Sequence, residues 1–269
     1  MWRQAAEEAV RAAIRAVRGA LNSGSAARPL RRGAGGDVTR VVDQVAEEAV
    51  LRVLQRRGLR FTLVSEEQGV VSYGSESVVV ALDPLDGTGN ALRGIPPYAV
   101  ALGVAFGRAF GDVRIAVVGD VVSGELFIAA PDVAVCGRGA LRTSGVTRLR
   151  KAVASVDLTR YPLARDRGLL RLLTSVRRVR HYGSNALEIA WVAAGRLDLF
   201  VDVRGVLRDV DLAAACFLVR AAGGAVWVDP DESTELGLRR YRIVAAATPA
   251  LLREALRVLR LSPGPAREG

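Results

Sequence analysis

Histidine is nearly absent: His181 is the only one among 269 residues. One imidazole cannot build a multi-histidine metal site or a two-histidine phosphotransfer relay. Any metal would have to be held by carboxylate and carbonyl oxygens, the ligands of hard ions such as Mg²⁺ or Mn²⁺. Cysteine is almost as scarce. Cys136 and Cys216 lie far apart, neither in a CxxC spacing, which predicts two reduced thiols rather than a zinc site or a disulfide framework. No run of about eighteen uncharged apolar residues occurs, so no segment is expected to span a bilayer. The N-terminal stretch from Trp2 to Leu21 is interrupted by charges every few residues. It is therefore expected to be an amphipathic helix and not a signal peptide, in a cytoplasmic protein. Lysine is missing but for Lys151, so the net charge of +10 is an excess of arginine, and that arginine is spread along the whole chain. RNA-binding aromatic motifs, zinc-finger spacing and a basic tail are missing too. A basic surface that draws in small anions fits this better than nucleic acid as the main ligand.

What is there is apolar: hydrophobic residues make up 50% of the chain, enough for a substantial core. The pattern predicts one compact unit of two halves, 1–145 and 146–269, with a soft boundary near Gly139–Lys151. A second helix is expected from Asp37 to about Gly58, then a strand at Phe61–Val64 and an apolar strand at Ser77–Leu82. Alternating segments from Ala99 to about Ala130 suggest an antiparallel meander. The second half alternates strands (152–156, 176–181, 197–201, 225–228, 242–246) with helices (about 163–173, 185–194, 211–222, 249–259). This is a layered α/β arrangement of sheets between helices.

Chemistry concentrates where apolar strands end. Asp83-Pro84-Leu85-Asp86-Gly87-Thr88 presents two carboxylates three residues apart, a spacing that lets both, with the Leu85 carbonyl, converge on one or two hard cations. Gly87 and Thr88 then open a short helix, whose amides suit a phosphate. The same residues could equally form a plain type I turn. Ser65-Glu66-Glu67 follows another apolar strand; by itself it reads as a surface turn or a ligand. Asp211 begins an apolar helix, either as a helix cap contributing about 1 kcal/mol or as a metal ligand. Asp43 sits on an otherwise apolar helix face, where a solvated position is the plain alternative.

Taken in order, VTRVVD, SEE, DPLDGTGN, GSNALE and RDVDLAAA resemble the inositol monophosphatase / fructose-1,6-bisphosphatase superfamily, most closely its archaeal dual-activity type. The resemblance runs from about Gly33 to Gly224. It implies a five-layer α-β-α-β-α sandwich of the sugar phosphatase type. It also implies two or three Mg²⁺ ions (Mn²⁺ as a substitute) held by Glu66, Asp83, the Leu85 main-chain oxygen, Asp86 and Asp211. The family's water-activating Thr and its partner Asp match Thr88 and Asp43, with Glu66 bordering the water. Phosphate would lie against Asp86 and on the amides of Gly87 and Thr88. Arg180, Asn185 and Arg204 match positions that face the sugar end, where two arginines suit a second phosphate; either could instead be paired with a carboxylate. A homodimer acting on a small sugar or inositol phosphate is the family expectation.

Two departures stand out. Asp209 replaces a proline common in archaeal relatives, and Asp37-Val38 replaces Thr-Pro in the early loop. The function implied is metal-dependent hydrolysis of fructose 1,6-bisphosphate or inositol 1-phosphate. A 3′-phosphoadenosine-bisphosphate nucleotidase or an NADP phosphatase is the alternative within the superfamily, and an RNA-binding scaffold the alternative outside it.

Overall fold

The computed structural model describes residues 1–137 and 139–262. The chain opens with α1 (Trp2–Asn22), a two-stranded ribbon of β1 (Pro29–Arg32) and β2 (Val38–Arg40), and α2 (Val41–Arg56). It continues with β3 (Phe61–Ser65), β4 (Gly69–Asp86), the short α3 (Thr88–Ala91), β5 (Ala99–Ala105), β6 (Val113–Asp120), β7 (Leu126–Ala130), β8 (Val133–Cys136) and β9 (Gly139–Ala140). Strands β3 to β9 lie side by side in chain order as one sheet. The later elements are β10 (Val153–Val156), α4 (Arg167–Ser175), β11 (Arg178–Arg180), α5 (Asn185–Ala193), β12 (Leu199–Arg208) and α6 (Asp209–Ala221). They end with β13 (Ala225–Asp229), β14 (Arg240–Ala246) and α7 (Pro249–Leu259). The second sheet runs β11-β10-β12-β14-β13.

Three apolar clusters cement five layers. The first joins α1 and α2 to one face of the large sheet, through residues such as Val10, Val50, Leu54 and Leu102. The second fills the space between the sheets around α5 and α6. The third packs α4 and α7 on the outer face of the small sheet. The middle layer works because α6 is apolar nearly all round, as a helix covered on both sides must be. Its Ala213-Ala214 turn lies so close to β5 that a Cβ at Gly103 would stand 3.3 Å from the Ala214 nitrogen.

The antiparallel meander of β5, β6 and β7 matches its expected span. Several boundaries differ: α4 runs Arg167–Ser175 where about 163–173 was expected, β12 runs Leu199–Arg208 where 197–201 was expected, and two further differences bear on the site. The second helix starts at Val41, not Asp37, because Val38-Thr39-Arg40 pairs as a strand with Pro29–Arg32. There the Asp43 carboxylate accepts the Arg40 N–H at 2.9 Å and so caps the helix. Residues 69–76 form a first arm of β4 that hydrophobicity did not reveal, since alternate side chains are exposed. Ser65 of β3 therefore faces Gly69 of one arm and Leu82 of the other.

Candidate active site

Strand β4 delivers the central carboxylates. Its ladder to β5 pairs Asp83 with Ala101 and Asp86 with Ala99, leaving a bulge at Pro84-Leu85. Proline has no N–H to give a ladder and tolerates such a bulge, and the bulge turns both aspartates to one side. Leu85 N–H donates to Asp83 Oδ1 at 3.0 Å. The Thr88 hydroxyl stands 2.9 Å from the Leu85 carbonyl and 3.0 Å from Asp43 Oδ1. Asp43 is thus buried against the site and not solvated on its helix. Gly87 takes φ +85, and a Cβ there would come within 3.0 Å of the Gly183 carbonyl. Gly87→Ala is therefore expected to lower stability by about 2 kcal/mol, from the left-handed backbone and the clash together. A thermal melt at the wild-type temperature would show that the turn can relax.

The second half of the chain completes the site. Asp86 Oδ2 accepts from the Ser184 hydroxyl at 2.6 Å and from Ala186 N–H at 2.8 Å. The loop carrying those donors is itself held by the buried Glu188. Its Oε1 accepts the amides of Tyr182 (3.2 Å), Gly183 (2.9 Å) and Ser184 (3.2 Å), while Ser155 donates to its other oxygen. Asn90 ties the short helix to the same loop through the Tyr182 carbonyl, at 2.6 Å. Asp211, third residue of α6, accepts the Arg208 N–H on Oδ2 at 2.8 Å.

Residues of both halves line one cleft of about 530 Å³. It brings together Glu66, Asp83, Leu85, Asp86 and Asp211 with Asp43, Gly87, Thr88 and Asn185. Arg180 and Arg204 do not line it. Arg180 is exposed on the edge strand β11. Arg204 is paired with Asp202 at 2.5 Å and with Asp157. Asp209 turns away from the cleft, where its buried carboxylate accepts the amides of Gly237, Leu238 and Arg239. Sequence reasoning missed Arg208, whose guanidinium bonds Glu66, Asp37 and the Gly35 carbonyl. Its only sequence signal is a place three residues before Asp211, the spacing of a helix cap.

Residues 1–262 match the inositol monophosphatase family. The chain belongs to that family. It is 34% identical over 240 residues to the fructose-1,6-bisphosphatase/inositol-1-monophosphatase of Methanothermobacter thermautotrophicus, covering 84% of this chain and 83% of that one. The protein of the same name from Thermococcus kodakarensis is 35% identical over 234 residues, 85% of each chain. A solved inositol monophosphatase–fructose 1,6-bisphosphatase superposes with a TM-score of 0.81 over 96% of this chain and 99% of its own, at 24% identity, which speaks for the fold. Membership makes the protein an enzyme, a phosphatase of a metal-dependent family.

The cleft fits such a metal by its chemistry. Asp211 Oδ1 is buried and has no hydrogen-bond partner among the described residues, a costly state for a carboxylate unless a cation completes it. Burial, and then the charge of Glu66, hold both Asp83 and Asp211 well above the usual carboxylate range. Asp86 is pushed up to about 7, by burial foremost and by Glu188, against the pull of Ser184 and the Ala186 and Asn185 amides. Glu67 also rises to about 7, again through burial, with Asp43, Glu66 and Glu47 adding to it and the Thr39 hydroxyl opposing. Clustered like charges out of water are what a divalent ion relieves. Among the described residues, no three His, Cys, Asp or Glu side chains already stand as a finished metal cage, and Glu66 is paired with Arg208.

Proposed function

We propose that the cleft hydrolyses phosphomonoesters of small sugars and polyols, with fructose 1,6-bisphosphate and inositol 1-phosphate as substrates. One observation carries this. Carboxylates from β4, from the β3–β4 turn and from α6 converge beside a threonine hydroxyl bonded to a buried aspartate. Glu66, Asp83, the Leu85 carbonyl, Asp86 and Asp211 would hold two or three Mg²⁺ ions, or Mn²⁺ in their place. Bound divalent cations supply the positive charge that stabilises the attacking and leaving oxygens of phosphoryl transfer.

The protein's own part is placement. Thr88 Oγ, hydrogen-bonded to Asp43 Oδ1, orients the attacking water and takes its proton while passing its own hydroxyl proton to Asp43. Burial favours that transfer, since it raises the Asp43 carboxyl against the opposing pull of the Arg40 amide and Thr88. The amides of Gly87 and Thr88 face the phosphate, and Asn185 borders the rest of the substrate. Arg180 is the exposed candidate for a second phosphate. The enzyme works as a homodimer in the cytoplasm; among the described residues no helix is long and apolar enough to cross a membrane.

Phosphate release with Mg²⁺ is the test, run on fructose 1,6-bisphosphate, inositol 1-phosphate, 3′-phosphoadenosine 5′-phosphate and NADP. The first two should be turned over, and EDTA should remove activity until Mg²⁺ is restored. Full turnover in EDTA would sink the metal-dependent reading, and turnover confined to the nucleotides would replace the substrate class.

A further inference from the structure

Away from the acidic cleft, the outer layer of α4 and α7 carries a second cavity, of about 390 Å³, and the two share no lining residue. A glycine makes it possible. A Cβ at Gly168, in the first turn of α4, would come within 2.9 Å of the Leu259 carbonyl in the last turn of α7. The start of one helix is thus drawn against the end of the other. Three arginines line the space between them, each from a different place. Arg165 comes from the 3₁₀ turn Leu163–Arg165, Arg167 from the first position of α4, and Arg260 from the C-cap of α7. All three are exposed. Among the described residues, none of their guanidinium groups has a hydrogen bond or an ion pair. Arg260 also holds a left-handed backbone, φ 60, at a helix end where glycine would sit without strain. The one carboxylate lining the cavity is already engaged: Asp166 accepts from the Tyr161 hydroxyl at 2.6 Å and from Leu169 N–H at 2.8 Å.

Three unpaired cations around one concave site repel each other, and a shared counter-ion relieves them. We propose that this cavity is an anion site separate from the active site, and that it takes a chain of two or three phosphates, free or at the end of a nucleotide. Each guanidinium offers a planar fork that matches a pair of phosphate oxygens. Three such forks from three chain positions suit several phosphates better than one. The volume agrees, since it lies in the range of small-ligand pockets. Asp166 opposes any anion, but it is one carboxylate against three guanidinium groups, and its oxygens are turned to Tyr161 and the α4 amides. The inference uses neither the metal assignment nor the phosphatase reading.

Calorimetric titration of the full chain with inorganic pyrophosphate, in EDTA, tests the site. Without metal the acidic cleft repels the probe, so saturable binding reports the second cavity. One pyrophosphate per chain should bind with a Kd in the micromolar range. Arg165→Gln and Arg260→Gln should each weaken binding about tenfold, the effect of one charged hydrogen bond. Their melting points should stay at the wild-type value, because neither side chain bonds another group. Arg11→Gln removes the same charge from an exposed position on α1, which packs on the other sheet, and it should bind as wild type does. ADP as a second probe identifies the source. Affinity at least tenfold above that of pyrophosphate would assign a nucleotide, and no gain would assign the phosphate chain alone. No saturable binding at millimolar pyrophosphate would overturn the proposal. So would binding that both cavity variants leave unchanged. An Arg11→Gln protein as weak as Arg165→Gln would overturn it too, since the attraction would then belong to a basic chain as a whole. No readout involves hydrolysis, so a failure here and a failure of the proposed phosphatase activity are told apart.

Discussion

Asp86→Asn is expected to lower Mg²⁺-dependent phosphate release by roughly a thousandfold while leaving the metal-free protein at least as stable as wild type. The two effects come from the same carboxylate. For catalysis the charge is needed, since Asp86 is placed to bind metal and to border the phosphate. For the empty fold the charge is a burden, because the group is buried and its carboxyl is pushed up to about 7. The native state thus binds its proton more tightly than the unfolded chain does. That contribution to stability is complete below about pH 4 and is lost as pH rises through about 7. An asparagine mimics the protonated acid at every pH, and its amide oxygen can still accept from Ser184 and Ala186 N–H. In EDTA the variant should therefore melt above wild type at pH 8, with the gap closing towards pH 4. Near-wild-type turnover at saturating Mg²⁺ would remove Asp86 from the site. A melting point well below wild type at pH 8 would contradict the burial argument.

The acidic half of the site was legible because it coincides with features that periodicity reports. Asp83 and Asp86 follow a fully apolar strand, Glu66 follows another, and Asp211 stands at the start of a helix without a polar face. The helix at Pro249–Leu259 came out residue for residue, with Pro249 at its first position and Thr248 accepting the Leu251 N–H to cap it. What sequence could not show was where long side chains and loops go in space. Arg208 meets Glu66 from 142 positions away, and no local pattern announces that pairing. Glu188 lies within the GSNALE motif, yet its bonds to three amides just upstream depend on how the loop folds back. Asp209 could have faced the metals or the solvent. It does neither, because the backbone at 237–239 turns three N–H groups towards it. Residues 69–76 were missed for an opposite reason: an edge arm with alternate exposure carries little hydrophobic signal.

Arg204 is the residue whose expected role the structure alters most, and its removal should weaken the fold. Its Nε stands 3.0 Å from Asp202 Oδ1, its Nη2 reaches Asp202 Oδ2 at 2.5 Å and also Asp157, and its Nη1 lies 3.3 Å from the Thr159 carbonyl. Asp202 is completely buried and Asp157 nearly so. Arg204→Ala would leave two carboxylates out of water without their cation, and breaking a buried pair in this way costs about 3–5 kcal/mol. For a chain of this size that corresponds to a fall in Tm on the order of 10 °C. The penalty lies in the stranded charges, so a double variant, Arg204→Ala with Asp202→Asn, should recover part of the loss. The asparagine can still accept the main-chain N–H of residue 204, which Asp202 accepts at 2.9 Å. An arginine that instead anchors the distal phosphate of fructose 1,6-bisphosphate would behave differently. Its loss would lower kcat/KM for the bisphosphate about tenfold to a hundredfold, spare inositol 1-phosphate and leave the melting point alone. Thermal melts of the single and double variants, beside both kinetic assays, separate the two roles. A stable Arg204→Ala protein with a bisphosphate-selective defect would restore Arg204 to the substrate; a lower melting point partly rescued at Asp202 would assign it to the floor of the second sheet.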